Sequence, residues 1–302
     1  MFSGSLKLYN LLYFRSFSTA KNTMNTVFTL FADNLDRLPK HILTALPQPY
    51  FQDKHRIRIT VENDFRLPEN IKNELNQLHI DYALLPDKAF SDLGLIVSDM
   101  DSTLITIECI DEIAARLGIK SQVAAITERA MRGEIDFRQS LTERVGLLKG
   151  LPVSELQIVY DEVLKLTTGA EELLTACHQK GVKFMLVSGG FTFFTDRLKQ
   201  RLGLDYTYAN VLGVENGTLT GSVDSEIIDA KKKVQLLQQY REDLGLQETQ
   251  VLAVGDGAND IPMIQAAGIG VAFHAKPKTQ AAASVAVNFC GLNGLLWLFR
   301  DE

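Results

Sequence analysis

The stretch Leu93 to Leu104, LGLIVSDMDSTL, narrows the choice of fold more than any other part of the chain. Its apolar run Leu95-Ile96-Val97 is of the kind that forms a parallel strand buried on both faces, and it stops at two carboxylates one residue apart, Asp99 and Asp101. Two further runs repeat the design. Val182-Lys183-Phe184-Met185-Leu186-Val187 leads into Ser188-Gly189-Gly190, and Thr249-Gln250-Val251-Leu252-Ala253-Val254 leads into Gly255-Asp256-Gly257-Ala258-Asn259-Asp260. A fourth, Gly268 to Phe273, ends at His274. This alternation with helical stretches predicts an α/β fold with a doubly wound parallel (Rossmann-like) sheet, whose strand ends share the edge where ligands of open α/β sheets bind.

The residues at those ends suit phosphoryl chemistry. Side chains alternate along extended backbone, so Asp99 and Asp101 share a side with Met100 turned away. Two acids that close raise each other's pKa unless a cation intervenes, and the natural candidate is a divalent metal. A carboxylate there can attack phosphorus without a general base, while its neighbour passes a proton to the leaving group and later activates water. The alternative is a solvated turn with Ser102 capping the next helix. Ser188 and the two glycines suit a phosphate oxygen, though Ser-Gly-Gly is also an ordinary turn. Asp99, Asp101 and Asp256 are hard oxygen ligands of the sort Mg²⁺ takes. Three carboxylates and a phosphate dianion call for a lysine as well. Neither a dinucleotide fingerprint nor a Gly-Lys-Ser/Thr phosphate loop is present, and a lone His274 reads as structural.

Between the first two motifs the texture is helical, with apolar stripes at Ile110/Ile113/Ala114/Leu117, Val123/Ile126/Ala130, Leu141/Val145/Leu148 and Leu156/Val159/Val163. This block, about 107–168, is placed to act as a cap that excludes water. Val211 to Val223, centred on Asn216-Gly217, predicts a β-hairpin. Residues 25–90 read as a small N-terminal α/β domain with strands at Val27–Phe31, Arg56–Val61 and Asp81–Leu85 and a helix through Ile71, Leu75 and Leu78. The domain from 91 to 302 carries the motifs. Residues 1–24 have Lys7, Arg15 and Lys21 but no acid, which fits a transit peptide or a start placed upstream of Met24. They are expected to be disordered or peripheral.

A net charge of −6, with Lys231-Lys232-Lys233 as the tightest basic cluster, argues against a nucleic-acid partner. No apolar run reaches the roughly 18 residues of a membrane span. Three separated cysteines, Cys109, Cys177 and Cys290, read as reduced thiols of an intracellular protein.

From about Leu93 onward, Asp99-Met100-Asp101-Ser102-Thr103-Leu104, Val187-Ser188-Gly189-Gly190-Phe191, a lysine and Gly255-Asp256-Gly257-Ala258-Asn259-Asp260 together resemble the haloacid-dehalogenase-like phosphatases, and among them the phosphoserine phosphatases. The resemblance implies Mg²⁺-dependent hydrolysis of a small molecule, O-phospho-L-serine, in the cytoplasm, as the last step of serine biosynthesis. It implies Asp99 as nucleophile, Asp101 as acid/base, and Mg²⁺ held by the carboxylates of Asp99 and Asp256 and the backbone carbonyl of Asp101, with Asp260 supporting. By the family's register Lys233 meets the phosphate, with Ser188, Gly189 and Gly190, while Lys231 and Lys232 are surface charges. Glu108 is implied at the substrate's amino group, Arg144 at its carboxylate, and Met131, Phe137 and Asn259 around it. From the residues alone, Glu108 reads as a helix N-terminal acid, Arg144 as an exposed helical charge and Phe137 as core. Phosphoryl transfer to another alcohol, action on another phosphomonoester and a phospho-accepting signalling role use the same first steps. A homodimer stays open.

Overall fold

The computed structural model describes residues 25–36 and 38–301, so the leader expected over 1–24 lies outside the described residues. The chain enters through strand β1 (Thr26–Phe31), helix α1 (Lys40–Ala45), strands β2 (Phe51–Gln52) and β3 (Arg56–Val61), helix α2 (Glu69–Gln77) and strand β4 (Asp81–Pro86). β1 lies between β3 and β4 and is antiparallel to both. Phe28, Leu30, Ile57 and Ile59 pack on one face with Ile42, Ile71 and Leu75 from the helices. Leu78, expected to extend the α2 stripe, instead caps that helix and is 40% exposed.

The alternation in β3 suggests one apolar and one solvated face, but both are covered. Arg56 and Arg58 are buried beneath the C-terminal segment, which runs through a 3-10 stretch at Leu292–Leu298. Arg56 donates to the carbonyl of Phe299 and, at 2.6 Å, to Asp301. Arg58 donates at 2.6 Å to the Leu298 carbonyl and at 2.6 Å to Asp87.

The second part begins with β5 (Leu95–Ser98) and passes into four cap helices, α3 (Cys109–Arg116), α4 (Lys120–Met131), α5 (Phe137–Gly146) and α6 (Val153–Ile158). It returns through α7 (Ala170–Lys180), β6 (Lys183–Phe191), α8 (Thr192–Leu202) and β7 (Tyr206–Asn210). A hairpin of β8 (Leu212–Glu215) and β9 (Thr218–Val223) follows, with Asn216 and Gly217 at φ 50° and 77°, as the Asn-Gly pair predicts. The chain continues with α9 (Ala230–Asp243), β10 (Val251–Gly255), α10 (Ile261–Ala266), β11 (Ile269–Phe273), α11 (Pro277–Gln280) and β12 (Val285–Val287).

All strands but the hairpin form one ten-stranded sheet, ordered β2-β3-β1-β4-β12-β11-β10-β5-β6-β7 and parallel from β12 to β7. β5 sits between β10 and β6 with all four residues buried, which is why its sequence is an uninterrupted apolar run. The N-terminal segment has its own apolar cluster yet extends this same sheet, β4 meeting β12 antiparallel at Tyr82 and Ala286. Beside that seam, buried Asp81 accepts from the backbone N–H groups of Asn288 at 2.7 Å, Phe289 at 3.0 Å and Cys290 at 2.9 Å. The cap leaves and rejoins the core through adjacent strands of chain, where Thr106 N–H donates to Lys165 and Thr167 N–H to Leu104, both at 3.0 Å.

Candidate active site

Since β5 is flanked by β10 and β6, the three motif-bearing strands deliver their last residues side by side. After Ser98 the backbone makes one wide turn over Met100–Leu104, in which Ser102 takes a left-handed φ of 55°. Ser102 therefore does not cap the next helix; its hydroxyl donates to Glu108 at 2.7 Å. The turn carries Asp99 inward, where Oδ1 accepts from Met100 N–H at 2.7 Å and lies 2.8 Å from Lys233 Nζ. Asp101 Oδ1 accepts from Cys109 N–H, at the start of α3, at 3.1 Å.

Lys233 reaches this point from the first turns of α9. Its ammonium is 1% exposed and bridges Asp99 and, at 2.7 Å, Asp260 Oδ1. Lys232 turns outward to Glu226 at 2.7 Å, and Lys231 is exposed. Asp260 is fully buried, its second oxygen accepting from Gly257 N–H at 3.0 Å. Asp256 accepts from the Thr103 hydroxyl at 3.1 Å.

Ser188-Gly189-Gly190 is not a turn but a bulged end of β6, where the register against β7 shifts between Val187 and Phe191. The glycines are needed for space. A Cβ on Gly189 would stand 2.9 Å from the Phe137 ring, and one on Gly190 would stand 2.9 Å from Asp101 Oδ2 and 3.0 Å from Ser188 Oγ. The Ser188 hydroxyl oxygen accepts from Gly190 N–H at 2.8 Å. Asn210, buried at the end of β7, donates to the carbonyls of Gly189 at 2.8 Å and Gly190 at 3.2 Å, and accepts from Ile228 N–H at 2.9 Å.

The cap carries Met131, Phe137 and Arg144. Phe137 lies against Gly189. Arg144 is half-buried, donates to the Ser140 carbonyl at 3.3 Å, and makes no carboxylate salt bridge among the described residues. Burial pulls its guanidinium pKa down against the nearby charges of Asp111, Glu108 and Asp101. Asn259 is half-buried beside Asp260. Met131 is 70% exposed on the last turn of α4, a helix whose buried apolar contribution is Val123. His274 Nε2 lies within 2.9 Å of the Cys290 carbonyl.

Sequence reasoning missed Thr103, Asn210 and Asp229, the residue that caps α9 by accepting from Lys232 N–H at 2.9 Å. The signal for Asp229 was present in its position just before a helical stripe. Asn210 ends a strand too polar to stand out.

Four carboxylates share this space with one buried ammonium. Burial, then the Asp260 charge, drives the Asp99 carboxyl well above the usual range despite Lys233. Asp101 is pushed up to about 7 by burial and the Glu108 charge. Asp256 is pushed up to about 6 by burial and the Asp260 charge. For Lys233, burial acts downward, and Asp260 and Asp99 outweigh it. One oxygen from each of Asp99, Asp256 and Asp260 lies within 4.8 Å of the others, so surplus negative charge and hard oxygens coincide, a combination that fits a divalent cation. Both Asp260 oxygens are already engaged, which leaves Asp99 and Asp256 as the freer ligands. A separate cleft of about 640 Å³, lined by Tyr50, Phe51, Arg56, Arg58 and Arg300 among others, has no comparable surplus, because Arg56 and Arg58 are committed to the C-terminal segment, Asp53 and Asp87.

A family model described as haloacid dehalogenase-like hydrolase matches residues 93–268. A phosphoserine phosphatase of Polaromonas sp. is 52% identical over 220 residues, 71% of this chain and 93% of that protein. The crystal structure of a HAD family hydrolase from Salmonella enterica serovar Typhi superposes with a TM-score of 0.82 at 33% identity, over 92% of this chain and 99% of that one. The unliganded crystal structure of a probable phosphoserine phosphatase from Vibrio cholerae superposes with a TM-score of 0.79 at 39% identity, over 90% of this chain and 85% of that one.

Proposed function

The chain belongs to the haloacid dehalogenase-like hydrolases, and from that premise we propose that it is a phosphoserine phosphatase, hydrolysing O-phospho-L-serine to L-serine and phosphate through an aspartyl-phosphate on Asp99. A carboxylate oxygen of Asp99 attacks phosphorus as the bond to the serine oxygen breaks, and Asp101 gives its proton to that oxygen. Asp101, now a carboxylate, takes a proton from water as the water oxygen attacks phosphorus. The bond to Asp99 then breaks, releasing phosphate and restoring the enzyme. A group titrating at about 7 is suited to both duties near neutral pH.

Lys233, the Ser188 hydroxyl and the N–H groups of Gly189 and Gly190 hold the phosphoryl oxygens. Glu108 meets the substrate ammonium and Arg144 its carboxylate, the latter through two parallel hydrogen bonds. Met131 and Phe137 wall the pocket and Asn259 completes it. Mg²⁺ would be held by the carboxylates of Asp99 and Asp256 and the backbone carbonyl of Asp101, with Asp260 behind them, and would neutralise the phosphoryl oxygens and the nucleophile. The reading puts the enzyme in the cytoplasm, at the last step of serine biosynthesis.

The observation that carries this reading is the convergence of Asp99, Asp101, Asp256 and Lys233 at one sheet edge, with Phe137 of the cap against the Ser188-Gly189-Gly190 bulge. Phosphate release measured with Mg²⁺ over a panel of phosphomonoesters tests it. O-phospho-L-serine is expected among the best substrates, and a clear preference for another ester would displace it.

A further inference from the structure

Beyond the groups assigned above, an ion pair joins cap to core, as does a hydrogen bond of 2.9 Å from Arg197 to Gln157. Arg138, next to Phe137 at the start of α5, directs Nε at 2.9 Å and a terminal nitrogen at 2.7 Å to the same oxygen, Oδ2 of Asp229. Asp229 is a core residue, and its other oxygen caps α9 one residue before Lys233. Burial would raise the Asp229 carboxyl, and the Lys232 N–H with the Arg138 guanidinium hold it below the usual range instead.

The β8–β9 hairpin, which continues directly from β7, joins core to cap on another side through backbone hydrogen bonds. Gly150 N–H donates to Leu219 at 2.7 Å, Leu219 N–H to Leu151 at 2.8 Å and Val153 N–H to Gly217 at 2.9 Å. Leu141 and Val145 of α5 pack into the buried cluster shared with the core, and the first turn of α5 adds the contacts nearest the site, where Phe137 meets Gly189 and Arg138 grips Asp229. The same helix carries Arg144.

We propose that Arg138 is a positioning residue. Through Asp229 it registers α5 against the helix that carries Lys233, and so fixes the separation between Arg144, which reads the substrate's carboxylate, and Lys233, which holds its phosphoryl group. The inference rests on the function proposed above. A ligand that touches both cap and core feels the loss of the clasp, and a ligand held by the core alone does not.

The test compares the full-length wild type with Arg138→Gln, Asp229→Ser, the double variant and Arg138→Lys, all with Mg²⁺. Serine keeps the helix cap while removing the charge. Each of the first two variants is expected to raise KM for O-phospho-L-serine about three- to fivefold, the scale of a half-exposed ion pair, with kcat within about 1.5-fold. The inhibition constant of inorganic phosphate stays unchanged, and the double variant is no worse than the poorer single one, since the pair is already broken. Arg138→Lys recovers part of the loss. KM and the phosphate constant rising together, or single effects multiplying in the double variant, would overturn the proposal. Should the wild type fail to hydrolyse O-phospho-L-serine, the functional reading is what fails. Amide exchange across Phe137–Gly146 then decides the clasp, being faster in both single variants if it holds α5 and unchanged if it does not.

Discussion

Two groups of charge are built around buried side chains in this molecule, one around Arg56 and Arg58 and one around Asp99, and they are balanced differently. The first sets Arg56, Arg58 and Arg300 against Asp53, Asp87 and Asp301, with backbone carbonyls taking up remaining donors. The second sets Asp99, Asp101, Asp256 and Asp260 against Lys233. A balanced cluster satisfies itself and clamps the N-terminal strands to the C-terminal segment. An unbalanced one stays costly until something positive arrives, and such strain concentrates where chemistry is done. The arithmetic of charge separates architecture from function here, since both groups hold buried charges and only one leaves them unbalanced.

The comparison breaks hardest at Asp99. Asp99→Asn keeps the shape and removes the nucleophile, and kcat for phosphate release is expected to fall by about 10⁴-fold or more. Appreciable turnover in the purified variant would take that role from Asp99. Lys233→Met removes the one buried cation from a site already short of positive charge. A loss of about 10² to 10³ in kcat is expected in steady-state assays, as for a lost transition-state donor. Arg58→Met leaves Asp87 with only the more distant Arg300 and strips the Leu298 carbonyl of its donor, and should cost about 2 kcal/mol in denaturant unfolding, while kcat of the folded enzyme stays within about twofold. A large fall in kcat there would show that the N-terminal clamp does more than hold the fold.

A finer test is pH. In metal-free protein the folded-state pKa values of Asp101 and Asp256, about 7 and about 6, stand above the 3.8 of an unperturbed aspartate. Their contribution to stability is thus full below about pH 4 and is lost as pH rises through 6 and 7. Asp53 behaves oppositely. Burial acts upward on it, but the N–H groups of His55 and Arg56 and the Arg56 guanidinium hold it low, so its contribution is present above pH 3.8 and lost below. Thermal melts of metal-free wild type and Asp256→Asn should diverge in slope between pH 5 and 7, and parallel curves would contradict the surplus charge.

The site was legible where the fold is buried on both faces. β5, β6 and β10 announce themselves as apolar runs because neighbours and helices leave no polar face, and the carboxylates at their ends are conspicuous for the same reason. Choosing Lys233 over Lys232 needed family register, and the structure places only Lys233 against Asp99. β7 was missed because Tyr206, Thr207 and Tyr208 are only half-buried, and Asn210 with it. The burial of the β3 arginines could not be read from the sequence because their covering segment lies more than two hundred residues away.

The most direct measurement is the melting temperature with and without Mg²⁺. The surplus of carboxylates predicts a clear Mg²⁺-dependent rise at pH 7.5 that fades below about pH 6 as protons compete for the ligands, and that disappears in Asp256→Asn while persisting in Arg58→Met. No rise at pH 7.5, or an equal rise in Asp256→Asn, would contradict the account.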